Sequence, residues 1–86
     1  MTVTVYSKPA CVQCTSSIRK LNNMGIEYTK TDMTEDPTAL AYVKSLGFMA
    51  APVLIVKDAD GNVVKSWSGF RPDEIDALAS DVLATA

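Results

Sequence analysis

The sequence predicts an α/β protein in which a four-stranded mixed sheet is flanked by three helices, in the order β-α-β-α-β-β-α. Three observations lead there. Extended runs rich in β-branched residues recur at Thr2–Tyr6, Ile26–Thr31, Pro52–Lys57 and Val63–Trp67. Segments with apolar residues at steps of three and four lie between and after them. A turn cluster, Asp58-Ala59-Asp60-Gly61-Asn62, separates the last two extended runs.

Thr2 to Tyr6 alternates polar residues with Val3 and Val5, and Ser7-Lys8-Pro9-Ala10 ends the run because proline has no N–H for a central ladder. From Cys11 the pattern turns helical, with Cys14, Ile18, Leu21 and Gly25 on one stripe and Gly25 placed as the stop. Ile26-Glu27-Tyr28-Thr29-Lys30-Thr31 alternates as a second strand. Asp36 is placed to cap a second helix, with Pro37 in its first turn. Leu40, Val43 and Leu46 are expected to point inward, and Gly47 to end the helix. Pro52 to Lys57 is almost continuously apolar, as in a strand buried on both faces, and forms an antiparallel hairpin with Val63–Trp67. Arg71-Pro72-Asp73-Glu74 opens the last helix, whose apolar face is Ile75, Leu78, Ala79 and Val82. Its two acids sit where the helix dipole favours negative charge. The first β-α-β unit is expected to be a right-handed crossover between parallel strands.

Eighty-six residues, 48% hydrophobic and 21% charged, make one domain spanning 1–86 and stand well away from disorder. A chain this short buries only about 60–65% of its unfolded surface, so sheet and helices share one small core. The formal charge is −2 and no basic cluster exceeds Arg19-Lys20, which counts against nucleic acid. The N-terminus lacks a basic segment followed by a long apolar one, and no apolar run reaches bilayer length. A cytoplasmic monomer with no membrane partner is expected.

Cys11-Val12-Gln13-Cys14 holds the only two cysteines. The spacing fits thiol–disulfide chemistry or half of a metal site. Four-coordinate zinc needs two more nitrogen or sulfur ligands, and the chain has no histidine. No bound metal is expected, and a reversible dithiol is the leading reading. Its rivals are a binding module that shares a metal between chains and a pair of inert packed cysteines. Cys11 falls where the loop becomes a helix, so unpaired N–H groups and the dipole favour its thiolate. Lowering a thiol pKa from about 8.5 to about 7 raises the thiolate fraction at neutral pH from a few per cent to about half. Cys14, one turn on and facing the core, keeps the higher pKa. Cys11 is therefore expected as the attacking nucleophile and Cys14 as the resolving thiol. Lys8 either sets a cation near the thiolate or is simply solvated. Val12 and Gln13 are candidates for partner contact or merely tolerated surface.

Tyr6-Ser7-Lys8-Pro9, the dithiol itself, Ala51-Pro52-Val53 and Trp67-Ser68-Gly69-Phe70-Arg71-Pro72 together resemble the NrdH-type redoxins across essentially the whole chain. These are glutaredoxin-like proteins of the thioredoxin fold. The resemblance implies a dithiol–disulfide electron carrier with no bound cofactor, reduced by thioredoxin reductase and so using NADPH indirectly. It implies a class Ib ribonucleotide reductase as the electron acceptor, in deoxyribonucleotide synthesis. It also implies a cis Pro52, which exposes the Ala51 backbone to an extended substrate segment; the plainer reading is a proline that starts a strand.

Ordinary glutaredoxins carry a Cys-Pro-Tyr-Cys type dithiol and an acidic pair before the last helix that holds glutathione. Here Phe70-Arg71-Pro72 occupies that region, with Asp73 beside it. The departure points away from glutathione and leaves a glutathione-dependent glutaredoxin as the alternative. Partner contact is expected at Lys8, Val12, Gln13, Ala51, Pro52, Trp67, Ser68, Gly69, Phe70 and Arg71. Trp67 and Phe70 either form a docking patch or brace the loop, and Trp67 at a strand end equally fits the core.

Overall fold

A computed structural model describes residues 1–85, with side chains described through Ser80. The strands are β1 (Thr2–Ser7), β2 (Thr29–Asp32), β3 (Val53–Lys57) and β4 (Val63–Ser68); the helices are α1 (Val12–Asn23), α2 (Pro37–Ser45) and α3 (Pro72–Thr85). The sheet runs β2-β1-β3-β4. β1 and β2 are parallel, with Val5 beside Lys30. β1 and β3 are antiparallel with Val5 opposite Leu54, and β3 and β4 are antiparallel with Leu54 opposite Trp67. The mixed four-stranded sheet with three helices is thus as expected. Its consequence for function is positional: the end of β1, the start of β3 and the end of β4 meet at one rim of the sheet. The dithiol loop, Ala51-Pro52 and residues 68–71 converge there.

β3 is apolar and buried from Val53 to Val56, and both its faces are covered. Leu54 and Val56 join Val3, Val5 and Trp67 on one face, packed with Leu21 of α1 and Ile75, Leu78 and Ala79 of α3. Val53 and Ile55 face the other way, with Met33 and with Val43 of α2. Fully burying each such side chain contributes about 1.5–3 kcal/mol relative to exposure. Lys20 of α1 pairs with Asp76 of α3 at 3.0 Å, and Lys65 of β4 with Glu74 at 3.2 Å, on the rim of the first cluster. Both pairs are partly solvated and add little. Val82, assigned to the α3 face from sequence, lies outside the residues whose side chains are described.

Two sequence expectations need correction. Ile26 does not begin β2, which starts at Thr29. Instead its N–H donates to Leu21 O at 3.0 Å while the Gly25 N–H donates to Asn22 O at 3.1 Å. This pair of bonds is a Schellman cap, with Gly25 at φ +70° and Ile26 buried near Leu21 as its apolar partner. α2 closes the same way, with Phe48 N–H donating to Val43 O and Gly47 N–H to Lys44 O. The second correction concerns the face of α2. Asp36 caps it as expected, accepting from the Thr38 and Ala39 N–H groups. Its buried residues, however, are Ala39 and Val43, and both Leu40 and Leu46 are exposed. Steps of three drift about 60° around a helix per step, so the stripe 40-43-46 leaves the face that a step of four keeps. Among the described residues no helix is long and apolar enough to cross a membrane.

Candidate active site

Cys11 is the N-cap of α1, with extended backbone (φ −108°, ψ 106°). Ser, Thr, Asp or Asn normally fills this position and accepts a first-turn N–H through oxygen. Here the sulfur does so: the Cys14 N–H donates to Cys11 Sγ at 3.1 Å. A first-turn N–H aimed at the sulfur, together with the positive end of α1, favours the thiolate over the thiol. Cys11 O in turn accepts the Thr15 N–H at 3.1 Å and the Thr15 hydroxyl at 3.2 Å. The residue before the cap, Ala10, has φ +56°, a left-handed conformation that costs a non-glycine residue roughly 1 kcal/mol.

Cys11 and Cys14 are joined as a disulfide, their Cα atoms 5.2 Å apart, inside the span such a bond bridges. Cys11 is half-buried while Cys14 is buried on the core stripe of α1. A cleft of about 470 Å³ opens over the pair, lined by Lys8, Pro9, Val12 and Lys30 as well as both cysteines. Its two charged residues are cations, and no carboxylate lines it. Among the described residues, no group of three or more acidic, histidine or cysteine side chains is placed to hold a metal.

The other expected contact residues divide by environment. Val12 is 80% exposed at the lip of the cleft. Gln13 is exposed too, yet its Oε1 accepts the Phe70 N–H at 2.9 Å. The Ala51–Pro52 peptide is cis, as the resemblance implied. Pro52 O accepts the Gly69 N–H at 2.8 Å, so the start of β3 and the loop after β4 are bonded together. Of the two readings for Trp67, the structure gives the core: the ring is buried opposite Leu54. Phe70 remains at the surface, 36% exposed. Arg71 and Asp73 form a two-point fork, Nη2 to Oδ2 at 3.1 Å and Nε to Oδ1 at 3.3 Å. This arginine holds the Asp73 carboxyl below the usual carboxylate range.

A second, smaller cleft of about 180 Å³ was not foreseen. Met33, Leu40, Val43, Phe48 and Met49 make it apolar, and Lys8 and Ala51 link it to the dithiol rim. Met49 is 94% exposed. The available signal was the wrongly inward Leu40, a large apolar residue beside a helix face that had already been satisfied.

The glutaredoxin family model matches residues 3–60. Over 78 residues the chain is 36% identical to the glutaredoxin-like protein NrdH of Escherichia coli, covering 91% of this chain and 89% of that protein. It is 38% identical over 77 residues to NrdH of Lactococcus lactis subsp. cremoris, covering 90% and 99%. The solved structure of the E. coli NrdH-redoxin superposes with a TM-score of 0.81 at 36% identity, covering 91% of this chain and 95% of that one. A thioredoxin-like protein only 23% identical still superposes with a TM-score of 0.72, covering 90% and 99%, which is a likeness of fold. The shared architecture is the thioredoxin-like fold.

Proposed function

The chain belongs to the NrdH-type redoxins of the glutaredoxin family and is a thiol–disulfide oxidoreductase with a redox-active cysteine pair; from that premise we propose that it carries electrons from thioredoxin reductase to a class Ib ribonucleotide reductase. The reduced Cys11 thiolate attacks one sulfur of the target disulfide. That bond breaks, a target thiolate leaves and a Cys11–target mixed disulfide remains. Cys14, as thiolate, then attacks Cys11 Sγ, forming the Cys11–Cys14 disulfide and expelling the second target thiolate. Two electrons pass to the target. Thioredoxin reductase restores the dithiol by the reverse exchange, so NADPH is consumed at the reductase and not bound here.

The observation that carries the choice of donor is the Arg71–Asp73 fork. In glutaredoxins the acids before the last helix are available to glutathione, whereas here the carboxylate of Asp73 is already engaged by a guanidinium. The E. coli relative is described as having a thioredoxin-like activity profile, which agrees with this reading. Partners contact the rim through Lys8, Val12, Gln13, Ala51, Phe70 and Arg71, with Pro52, Ser68 and Gly69 shaping it. The apolar cleft beside Met49 extends that surface. The protein acts in the cytoplasm as a monomer.

The deciding assay supplies the protein with NADPH, thioredoxin reductase and a disulfide substrate, and follows NADPH oxidation. Turnover that depends on both proteins is the expected result. Failure there, with efficient turnover by glutathione and glutathione reductase, would make the chain a glutathione-dependent glutaredoxin.

A further inference from the structure

Ser17 sits in the middle of α1 with its side chain fully buried, and its hydroxyl has no hydrogen-bond partner among the described residues. A mid-helix serine ordinarily points to water or bonds back to the carbonyl four residues earlier. Ser17 does neither. Burying an unpaired hydroxyl is unfavourable, and an alanine would fill the same stripe without that desolvation cost. The neighbours of Ser17 suggest what the hydroxyl serves. Cys14, Ser17 and Leu21 form the buried stripe of α1. Residues three apart are neighbours on a helix, and side chains lean toward its N-terminus, so Ser17 Oγ covers the turn that carries Cys14.

Cys14 needs such a neighbour. To resolve a mixed disulfide it must become a thiolate while buried, and burial disfavours the charged form. Among the described residues the buried serines are Ser7 and Ser17, and the one other buried side-chain donor without a partner is the Trp67 indole N–H, which lies on β4 and not on the stripe of α1 that carries Cys14. Ser7 lines the dithiol cleft with both cysteines, but its hydroxyl already donates to Thr31 O of β2 at 3.5 Å. The charged groups lining the dithiol cleft are Lys8 from the loop and Lys30 from β2, with no acid among them. From α3, Asp76 is engaged by Lys20, and beyond β4 Asp73 is engaged by Arg71. A disulfide sulfur is a weak acceptor, whereas a thiolate is a strong one.

We propose that Ser17 is a positioning residue for the resolving step, its hydroxyl donating to Cys14 Sγ once the disulfide is open and so holding the buried thiolate for attack. The proposal rests on the dithiol carrier reading above. In the step itself, Cys14 releases its proton to solvent and its thiolate attacks Cys11 Sγ. The Cys11–Cys14 bond forms, and the bond from Cys11 to the target breaks with its electron pair on the target sulfur. That sulfur takes up a proton from solvent. Ser17 keeps its own proton throughout.

The test compares wild type, Ser17→Ala and the hydroxyl-retaining Ser17→Thr. Reduced protein is mixed with limiting dithionitrobenzoate, which releases one coloured thiolate on attack by Cys11 and a second when Cys14 resolves the mixed disulfide. Ser17→Ala should leave the first phase unchanged and slow the second roughly tenfold at neutral pH, the scale of one lost hydrogen bond to a charged acceptor. The pH profile of that second phase should move upward by about one unit. The reduction potential should become more negative, because the reduced form loses a stabilising contact. Ser17→Thr should restore all three. A purely packing role for Ser17 would move none of them. In wild-type reduced protein, the Ser17 Cβ chemical shift should titrate together with that of Cys14, a measurement that requires no variant to fold. A folded Ser17→Ala with an unchanged second phase and profile, or a Ser17 shift blind to Cys14 ionisation, would overturn the proposal. Loss of both thiolate phases in wild type would instead overturn the dithiol reading on which it rests.

Discussion

Gln13 Oε1 accepts the backbone N–H of Phe70 at 2.9 Å, across 57 positions of sequence. One of the two residues between the cysteines thus fastens the first turn of α1 to the loop that precedes α3. That loop is fastened again on its other side, where the Gly69 N–H donates to Pro52 O at 2.8 Å. Three segments that approach the rim from different strands are held in register by two hydrogen bonds to adjacent backbone groups.

A double-mutant cycle at Gln13 and Gly69 tests that fastening. Gly69 has φ +81°, and a Cβ placed there would stand 3.1 Å from Gln13 Oε1. Gln13→Ala should cost about 0.5–1 kcal/mol, because the bond is neutral and solvent-exposed, and should speed hydrogen exchange of the Phe70 amide. Gly69→Ala should cost about 1–2 kcal/mol from the left-handed backbone alone, with a further increment from the crowded amide. In the double variant that increment should vanish, leaving the two costs less than additive. Urea denaturation of the four proteins measures the coupling. Strict additivity, with no change in Phe70 exchange, would show that the two residues do not act on one another.

Much of this molecule is legible in its sequence, and the exceptions have a common cause. The order of elements, the Asp36 cap and the double-sided burial of β3 follow from local propensity and periodicity. So does the placing of Cys11 at a helix start, because a loop ending in proline and a small residue leaves few other places for α1 to begin. What escaped were relationships that only the assembled chain defines. Ile26 reads as a strand residue by alternation, yet the Schellman cap claims its N–H. Leu40 reads as core by spacing, yet α2 meets the sheet through Ala39 and Val43. Gln13 reads as surface, and is exposed, but its partner lies at the far end of the chain. Nothing local to Ser17 marks it as buried.

The cap geometry at Cys11 leads to a prediction about its acidity. An N–H donating to the sulfur favours the thiolate, so in a Cys14→Ser variant Cys11 should titrate below the ordinary value of about 8.5. The rate of attack on a small disulfide should then rise with pH through that lowered pKa and level off above it. Thiolate absorbance at 240 nm reads the titration directly. A value at or above about 8.5 would mean that the α1 terminus does not activate Cys11.

Stability should fall on acidification, and three surface aspartates account for the sign. Asp58 Oδ1 accepts the Asn62 and Asp60 N–H groups at 2.9 Å each, and Asp32 Oδ1 accepts the Thr34 N–H at 2.8 Å and its hydroxyl at 2.6 Å. These bonds, and the guanidinium beside Asp73, lower all three carboxyl pKa values in the folded protein. A group whose folded pKa lies below its unfolded value of about 3.9 contributes stability above 3.9, and loses it as pH falls through the folded value. Urea midpoints should therefore be flat from about pH 7 to 5 and drop below about pH 4. Asp58→Asn, which keeps an accepting oxygen but no charge, should make the drop shallower. An Asp58→Asn protein with the same acid slope as wild type would remove Asp58 from the account.

Arg71 offers the most direct handle on the electron donor. In the native protein its guanidinium bonds both oxygens of Asp73, one of the two acids in the first turn of α3. Arg71→Ala should free that carboxylate, and its pKa should climb back toward the ordinary range because its largest stabilising contact is gone. α3 should persist, since the exposed ion pair contributes at most about 1 kcal/mol. Turnover with glutathione and glutathione reductase should then rise several-fold above wild type, by the same charge logic that lets a free carboxylate attract an ammonium group. Turnover with thioredoxin reductase should fall or stay level, because no new contact to that partner is made. Both rates can be followed by NADPH oxidation, with Asp73 titrated by NMR in the same variant. If Asp73 shifts upward as expected and glutathione turnover does not move, the fork has no part in the choice between glutathione and thioredoxin reductase.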